Sequence, residues 1–422
     1  MSAVAGREPA VYRPFALLAF GGTILVGTPL GVRMLAWLYL GAPAVTVETV
    51  LLHAHAQLVG FFGTLIPGVA HHLAARFTGQ PTRPTAATPW MAALLGGGLL
   101  LRIACVWAGA PGGLLAAALL QAAAYVLLGL WVARALGPAP LALVRRHLVA
   151  ATAWLAAACV TEAALRGVAL TAGGATPDVA GMRAVHAMAL YGGVMGWVLG
   201  VLLRAGPMFV GGWRVPAGLG AAVPWGLGVA VAVIAAGEVA AVPAIARAGE
   251  ALGLAAVVAV AAGAGAFRRP APRALPMASR SAAEARIFGL AVASATAALG
   301  GAVAATVLAA AGGGAHVLTD AVRHLLTVGT LTSIVVAMAF RLVPVLEATP
   351  LPWPWLRAVA FWSLLGAVVL RSAEVGVAHG WPGLAPVVPL SGVLAWIAIA
   401  SVGATLLGSV GGRRRAPPTP HA

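Results

Sequence analysis

Long apolar runs alternate with short polar breaks along the whole of this chain. Twelve runs stand out, near residues 15–38, 47–74, 88–108, 113–136, 147–170, 181–210, 218–240, 245–267, 285–312, 318–345, 353–377 and 385–409. A helix needs roughly 20 predominantly apolar residues to cross a hydrocarbon layer about 30 Å thick. Each run meets that length, so twelve transmembrane helices are predicted. Glycine (54 residues) and proline (29) are frequent. Membrane helices tolerate both, because neighbouring helices pack closely and satisfy the backbone groups a kink frees.

The polar residues inside the runs repeat. Leu52-His53-Ala54-His55-Ala56-Gln57-Leu58-Val59-Gly60 in span two is similar to Ala184-Val185-His186-Ala187-Met188-Ala189-Leu190-Tyr191-Gly192 in span six. Both are similar to Val322-Arg323-His324-Leu325-Leu326-Thr327-Val328-Gly329 in span ten. His55, His186 and His324 are spaced by close to a third of the 422 residues. Leu101-Arg102-Ile103-Ala104-Cys105 in span three matches Leu370-Arg371-Ser372-Ala373-Glu374 in span eleven, at the same separation as His55 and His324. Glu238 is the offering of span seven, and His72, Arg204 and Arg341 recur late in the histidine spans. A repeat of this period predicts one supersecondary unit used several times. The expectation is an all-α integral membrane protein, a single polytopic domain over 1–422 built from three four-helix units near 15–136, 147–267 and 285–409.

Composition agrees with a membrane protein. Hydrophobic residues make up 61% and charged residues 9%, with mean hydropathy +0.97, well below the charge of a soluble chain. The net charge of +16 is carried by 26 arginines and no lysine. It does not predict nucleic-acid binding, because the arginines follow topology. On the predicted side of the termini lie 19, including Arg76, Arg83, Arg134, Arg145, Arg146, Arg268, Arg269, Arg273, Arg280, Arg286 and Arg413 to Arg415. Six lie on the other side, and Arg102 is within span three. Cytoplasmic loops carry the excess of Lys and Arg, so both termini are expected in the cytoplasm and the three histidines near the outer face. Cys105 and Cys159 lack CxxC spacing and read as small core residues. Walker A loops, Rossmann glycine fingerprints and c-type haem attachment motifs are absent, which argues against ATP-driven or nicotinamide chemistry and against a covalent haem.

Three units with histidines on spans two, six and ten are similar to the twelve-helix core of haem–copper oxidase subunit I. The closer resemblance is to the NnrS family of haem-containing polytopic membrane proteins. It rests on His53/His55 in span two, Arg102 in span three, and His324-Leu325-Leu326-Thr327-Val328-Gly329 in span ten. It covers most of the chain through short motifs. The resemblance implies a bacterial inner-membrane protein that holds haem b, with copper as a further metal. It implies a role in the nitric oxide or nitrosative stress response or in denitrification, and partners that are lipids, an electron donor and a small gas such as nitric oxide. The departures bear on catalysis. Ala56 and Gln57 follow His55 where the family has an acid, residues 218–240 hold no histidine, and span ten has one. A complete dinuclear oxygen-reducing centre is therefore not expected. An oxidase-like reductase of nitric oxide or oxygen, and a secondary transporter, stay open as other classes. Three same-direction units fit the transporter class less well.

The candidate residues follow from chemistry. Imidazole inside a bilayer is costly and usually functional, and it ligates haem iron and copper. In the resemblance His55 and His324 are the axial pair. His53 sits two residues from His55, about 200° around a helix, so the two face different ways. His53 is then left for a propionate, a second metal or the interface. His186 is a metal candidate in company with His53 or His316, since copper wants three or more ligands, or else a hydrogen-bonded core histidine. Arg102, Arg371 and Arg323 are candidate haem-propionate partners, because guanidinium binds carboxylate bidentately, and Arg183 is placed to serve likewise. The competing reading pairs the arginines with Glu162, Glu238 or Glu374. Glu162/Arg166 and Arg371/Glu374 are spaced to neutralise each other on one helix. His71, His72, Arg204 and Arg341 read as an inner rim snorkelling to headgroups, and Arg413 to Arg415 as a topology anchor. His147, His379 and His421 are placed in loops or the tail.

Overall fold

The computed structural model describes residues 10–79, 85–137, 141–210, 214–265, 282–310, 315–347 and 351–412. Arg83, Arg268, Arg269, Arg273, Arg280, Arg413 to Arg415 and His421 lie outside the described residues, as do the side chains of Arg76, Arg286 and His316. Every regular element among those described is helical.

Twelve helices are long and apolar enough to cross a membrane. They are Arg13–Leu40, Val47–Ala74, Ala87–Ala108, Pro111–Ala135, Ala142–Thr171, Val179–Gly206, Ala217–Val239, Pro243–Gly263, Ala291–Ala310, Leu318–Pro344, Pro354–Ala378 and Pro382–Ser409, spans one to twelve below. Each coincides with one of the twelve predicted runs. Their starts carry ordinary helix signals. Thr46 Oγ1 accepts from Thr49 N before span two, and Asp178 Oδ2 accepts from Gly181 N before span six, each satisfying an orphan donor. Proline opens spans four and eight, where its missing N–H costs nothing.

The chain forms two compact units. The first comprises Met1–Leu30 and Val45–Pro276, and the second Gly31–Ala44 and Met277–Ala422. Within the first, neighbouring spans three and four, four and five, five and six, and seven and eight pack along one another. Within the second, span nine packs on ten and span eleven on twelve. Leu25, Leu100, Trp90, Trp107, Trp225, Trp355, Trp362 and Trp381 are largely exposed. A surface this apolar implies lipid contact, and several of the tryptophans stand near span ends, where indole suits the membrane–water interface.

The histidine spans share a departure from α geometry. After His55 the helix turns to π winding over Ala56–Phe62, in span six over Met188–Met195, and after His324 over Leu325–Thr332. A fourth π segment, Thr23–Gly27, lies in span one. Each π turn accommodates an extra residue and concentrates at functional sites. Gly192 and Gly329 sit inside these segments against the preceding span. A Cβ on Gly192 would stand 2.4 Å from Trp154, and one on Gly329 2.4 Å from Ala298, so only glycine allows that approach. The three π segments also define a register. His55 and His324 directly precede their π segments, and Ala187 stands between His186 and the π segment of span six.

Candidate functional site

The polar residues of span two face two directions. On one side, the His53 Nδ1 is 2.7 Å from the Gly27 carbonyl oxygen, in the π segment of span one. Gln57 Nε2 donates to Thr28 Oγ1, and Thr23 Oγ1 donates to Gln57 Oε1. This set ties span two to span one through backbone and hydroxyl partners. His53 is thus bonded to a neighbouring helix carbonyl.

On the other side, His55 is 4% exposed and enters a buried charge network. Its Nδ1 lies 3.5 Å from Glu162 Oε2 of span five. Arg102 of span three donates to the same carboxylate from Nη1 at 2.5 Å and from Nη2 at 2.9 Å. Arg166 Nε donates to Glu162 Oε1 at 2.8 Å, one turn along span five. Both terminal nitrogens of Arg166 then donate to Glu48 at 3.2 Å. Two arginines and two carboxylates therefore balance, with Glu162 at the centre, where bidentate geometry repays part of the desolvation. A carboxylate at Nδ1 favours the tautomer with its proton on that nitrogen and leaves a lone pair on Nε2. His55 Nε2 is buried with no short hydrogen bond among the described residues, and the Gln121 side chain lies near enough to pair with the ring. An imidazole nitrogen without a short bond fits an iron-ligand role.

The second unit holds a different arrangement around His324. Its Nδ1 is 2.9 Å from the Asp320 carbonyl oxygen and 3.4 Å from Asp320 Oδ2, one turn earlier in span ten. Arg371 Nη2 donates to Asp320 Oδ2 at 2.6 Å and lies 3.0 Å from His324 Nδ1. Arg371 Nε makes an ion contact with Glu374 at 3.1 Å, and the Tyr39 hydroxyl donates to Glu374 Oε1 at 2.7 Å. Each of the two histidines thus has an acid at Nδ1 and an arginine on that acid. For His55 the acid comes from another helix. For His324 it is a neighbour on the same helix, and the imidazole is a quarter exposed (26%).

The arginines expected at haem propionates are accounted for differently. Arg102 pairs with Glu162, and Arg371 with Asp320 and Glu374. The competing expectation named Glu162 and Glu374; Asp320 and Glu48 were missed. Asp320 was legible four residues before His324, whereas nothing local connects Glu162 with His55. Arg323 stands in the last turn before His324 and interacts with Asp320. Arg183 reaches Glu238 at 3.5 Å. His186, in the last turn before the π segment of span six, is half-buried. Among the described residues no group of three or more His, Cys, Asp and Glu gathers as a metal site, so copper gains no support, since copper sites want three or more ligands.

Two other expectations are corrected. His71 and His72 do not snorkel; they are 3% and 1% exposed. His71 stacks on Trp131 at 3.8 Å and its Nε2 is 3.0 Å from Thr88 Oγ1, and His72 meets Tyr12 edge-on. Aromatic neighbours from spans one and four cover them. His147 is not in a loop either. Span five begins at Ala142, so His147 is helical and buried, with Nε2 2.7 Å from the Gly220 carbonyl oxygen. Cys105 and Cys159 are buried free thiols, as small core residues would be. Arg204 is exposed above the Phe77 ring at 5.8 Å.

No family model matches this chain, and no curated protein matches it.

Proposed function

We propose that this chain is a haem b-binding protein of a bacterial inner membrane, of the NnrS kind, acting in the response to nitric oxide and nitrosative stress or in denitrification. The observation that carries the reading is His55: a buried imidazole whose Nδ1 faces Glu162 and whose Nε2 makes no short hydrogen bond among the described residues. A haem bound there would supply an iron that takes an imidazole nitrogen and a small gas or a second imidazole. His55 provides the lone pair, Glu162 orients the ring, and Arg102 and Arg166 hold the Glu162 side chain in place through their hydrogen bonds. His324 is the second ligand candidate on the resemblance, with Asp320 in the orienting position. The three-fold repeat, the oxidase-like arrangement and the cytoplasmic termini belong to this same reading. Its support is the shared histidine, π-segment and glycine pattern of spans two, six and ten.

The test is an optical spectrum of the detergent-purified protein, oxidised and dithionite-reduced, after expression with ample haem. Sharp reduced bands of a six-coordinate b-type haem are expected, with loss of that signature in both His55→Ala and His324→Ala. A featureless spectrum would end the haem reading. Bands unchanged in His55→Ala would end the ligand assignment.

A further inference from the structure

Every lone-pair position of the Glu162 carboxylate faces a donor. A carboxylate offers about four such positions. Arg102 Nη1 and Arg166 Nε donate to Oε1 at 2.5 and 2.8 Å, and Arg102 Nη2 donates to Oε2 at 2.9 Å. The fourth approach is His55 Nδ1, 3.5 Å from Oε2. Arg166 is itself tied to Glu48 at the start of span two. Glu48 and His55 lie seven residues apart and so share one face of that helix. The carboxylate is therefore fixed against the face that carries His55. Turning away from the imidazole would break three charge-assisted hydrogen bonds. Glu162 and His55 are 1% and 4% exposed, and charges buried in this way are screened little by salt.

The groups that reach the His55 ring differ in charge. Gln121 of span four brings a neutral amide and Arg102 a positive charge, whereas Glu162 brings a negative one. A carboxylate at the Nδ1 proton of a ligating histidine raises the basicity of Nε2 toward the metal. Ferric haem iron carries one more positive charge than ferrous iron. A more basic imidazole and a fixed anion behind it both favour the ferric state, because second-shell hydrogen bonds and local charge are levers on haem potential.

We propose that Glu162 is a positioning residue that sets the reduction equilibrium of a haem held by His55, biasing the iron toward its ferric state. Arg166 acts through Glu162, sharing its negative charge and so moderating the bias. The proposal rests on the haem reading. The test is a spectroelectrochemical titration of the full-length protein in lipid nanodiscs at fixed pH, with dithionite as reductant. Each ferric iron takes one electron from dithionite and becomes ferrous, and the reduced b-type bands report the fraction. Glu162→Gln keeps the shape and removes the charge. It is expected to shift the equilibrium about tenfold toward ferrous haem, 59 mV for one electron. Arg166→Gln leaves the Arg102 bonds in place and gives His55 more of the Glu162 charge. It is expected to shift the equilibrium severalfold the other way. Shifts of the same sign in both variants, or none in either, would overturn the proposal. Where Glu162→Gln fails to fold or to load haem, Arg166→Gln decides alone, and an equilibrium equal to that of wild type would overturn the proposal. Wild-type protein without haem bands would end the haem reading itself, whereas haem-loaded variants with unmoved equilibria would end only the role given to Glu162.

Discussion

Glu162 carries more than any other side chain of the first unit. It receives Arg102 and Arg166 and faces His55, and it is 1% exposed. Removing one partner of a buried pair leaves an uncompensated charge, at a cost of about 3–5 kcal/mol. Glu162→Ala is therefore expected to destabilise the protein by that order, read as a lower midpoint of thermal unfolding in detergent. Replacing Glu162 and Arg102 together by leucine is expected to cost less than Glu162→Ala alone, because no orphaned charge remains from that pair. A double variant worse than the single one would contradict the central place given to Glu162. At this scale the sequence was partly legible. The Arg166–Glu162 and Arg371–Glu374 spacings are visible along one helix. The approach of Arg102 and His55 to Glu162 depends on which helices lie side by side, and no spacing encodes that.

The helices themselves were legible almost to their ends. Whether a segment spans a membrane depends on its own length and apolarity, both local properties. The π segments were not. Their sign in the sequence is weak, a glycine five or six residues beyond a histidine, which stands against the preceding span at Gly192 and Gly329 and beside Leu99 of the following span at Gly60. Gly192 shows the constraint: its α-carbon lies against Trp154, leaving no room for a Cβ. Overpacking a filled site costs about 1–3 kcal/mol, so Gly192→Leu is expected to lower the unfolding midpoint, while Gly97→Leu, whose Cβ meets nothing within 4 Å, leaves it nearly unchanged. Equal effects of the two substitutions would remove packing as the reason for glycine at 192. The histidine spans differ by one residue at the π segments: His55 and His324 directly precede theirs, and Ala187 stands between His186 and its own.

For the whole molecule, the distribution of arginine is the main directional signal. The excess on one side predicts that the C-terminal end lies in the cytoplasm. A fluorescent protein fused after Ala422 is expected to fluoresce in a bacterial host, and alkaline phosphatase fused there to be inactive. The opposite pattern would invert the topology and move His55 and His324 to the inner face. His71, His72 and His147 looked like rim or loop residues because polarity near a span end suggests solvent. Trp131, Tyr12 and the Gly220 carbonyl, all distant along the chain, bury them. By itself the sequence determined the twelve helices, their order and the residue types available for chemistry, because transfer of apolar segments into lipid is set segment by segment. Only the tertiary structure decided which acid meets which histidine, where helical winding loosens, and which polar atoms are left buried and unbonded. Those depend on contacts between helices remote in sequence, and the energy of each resides in the pair rather than in either residue.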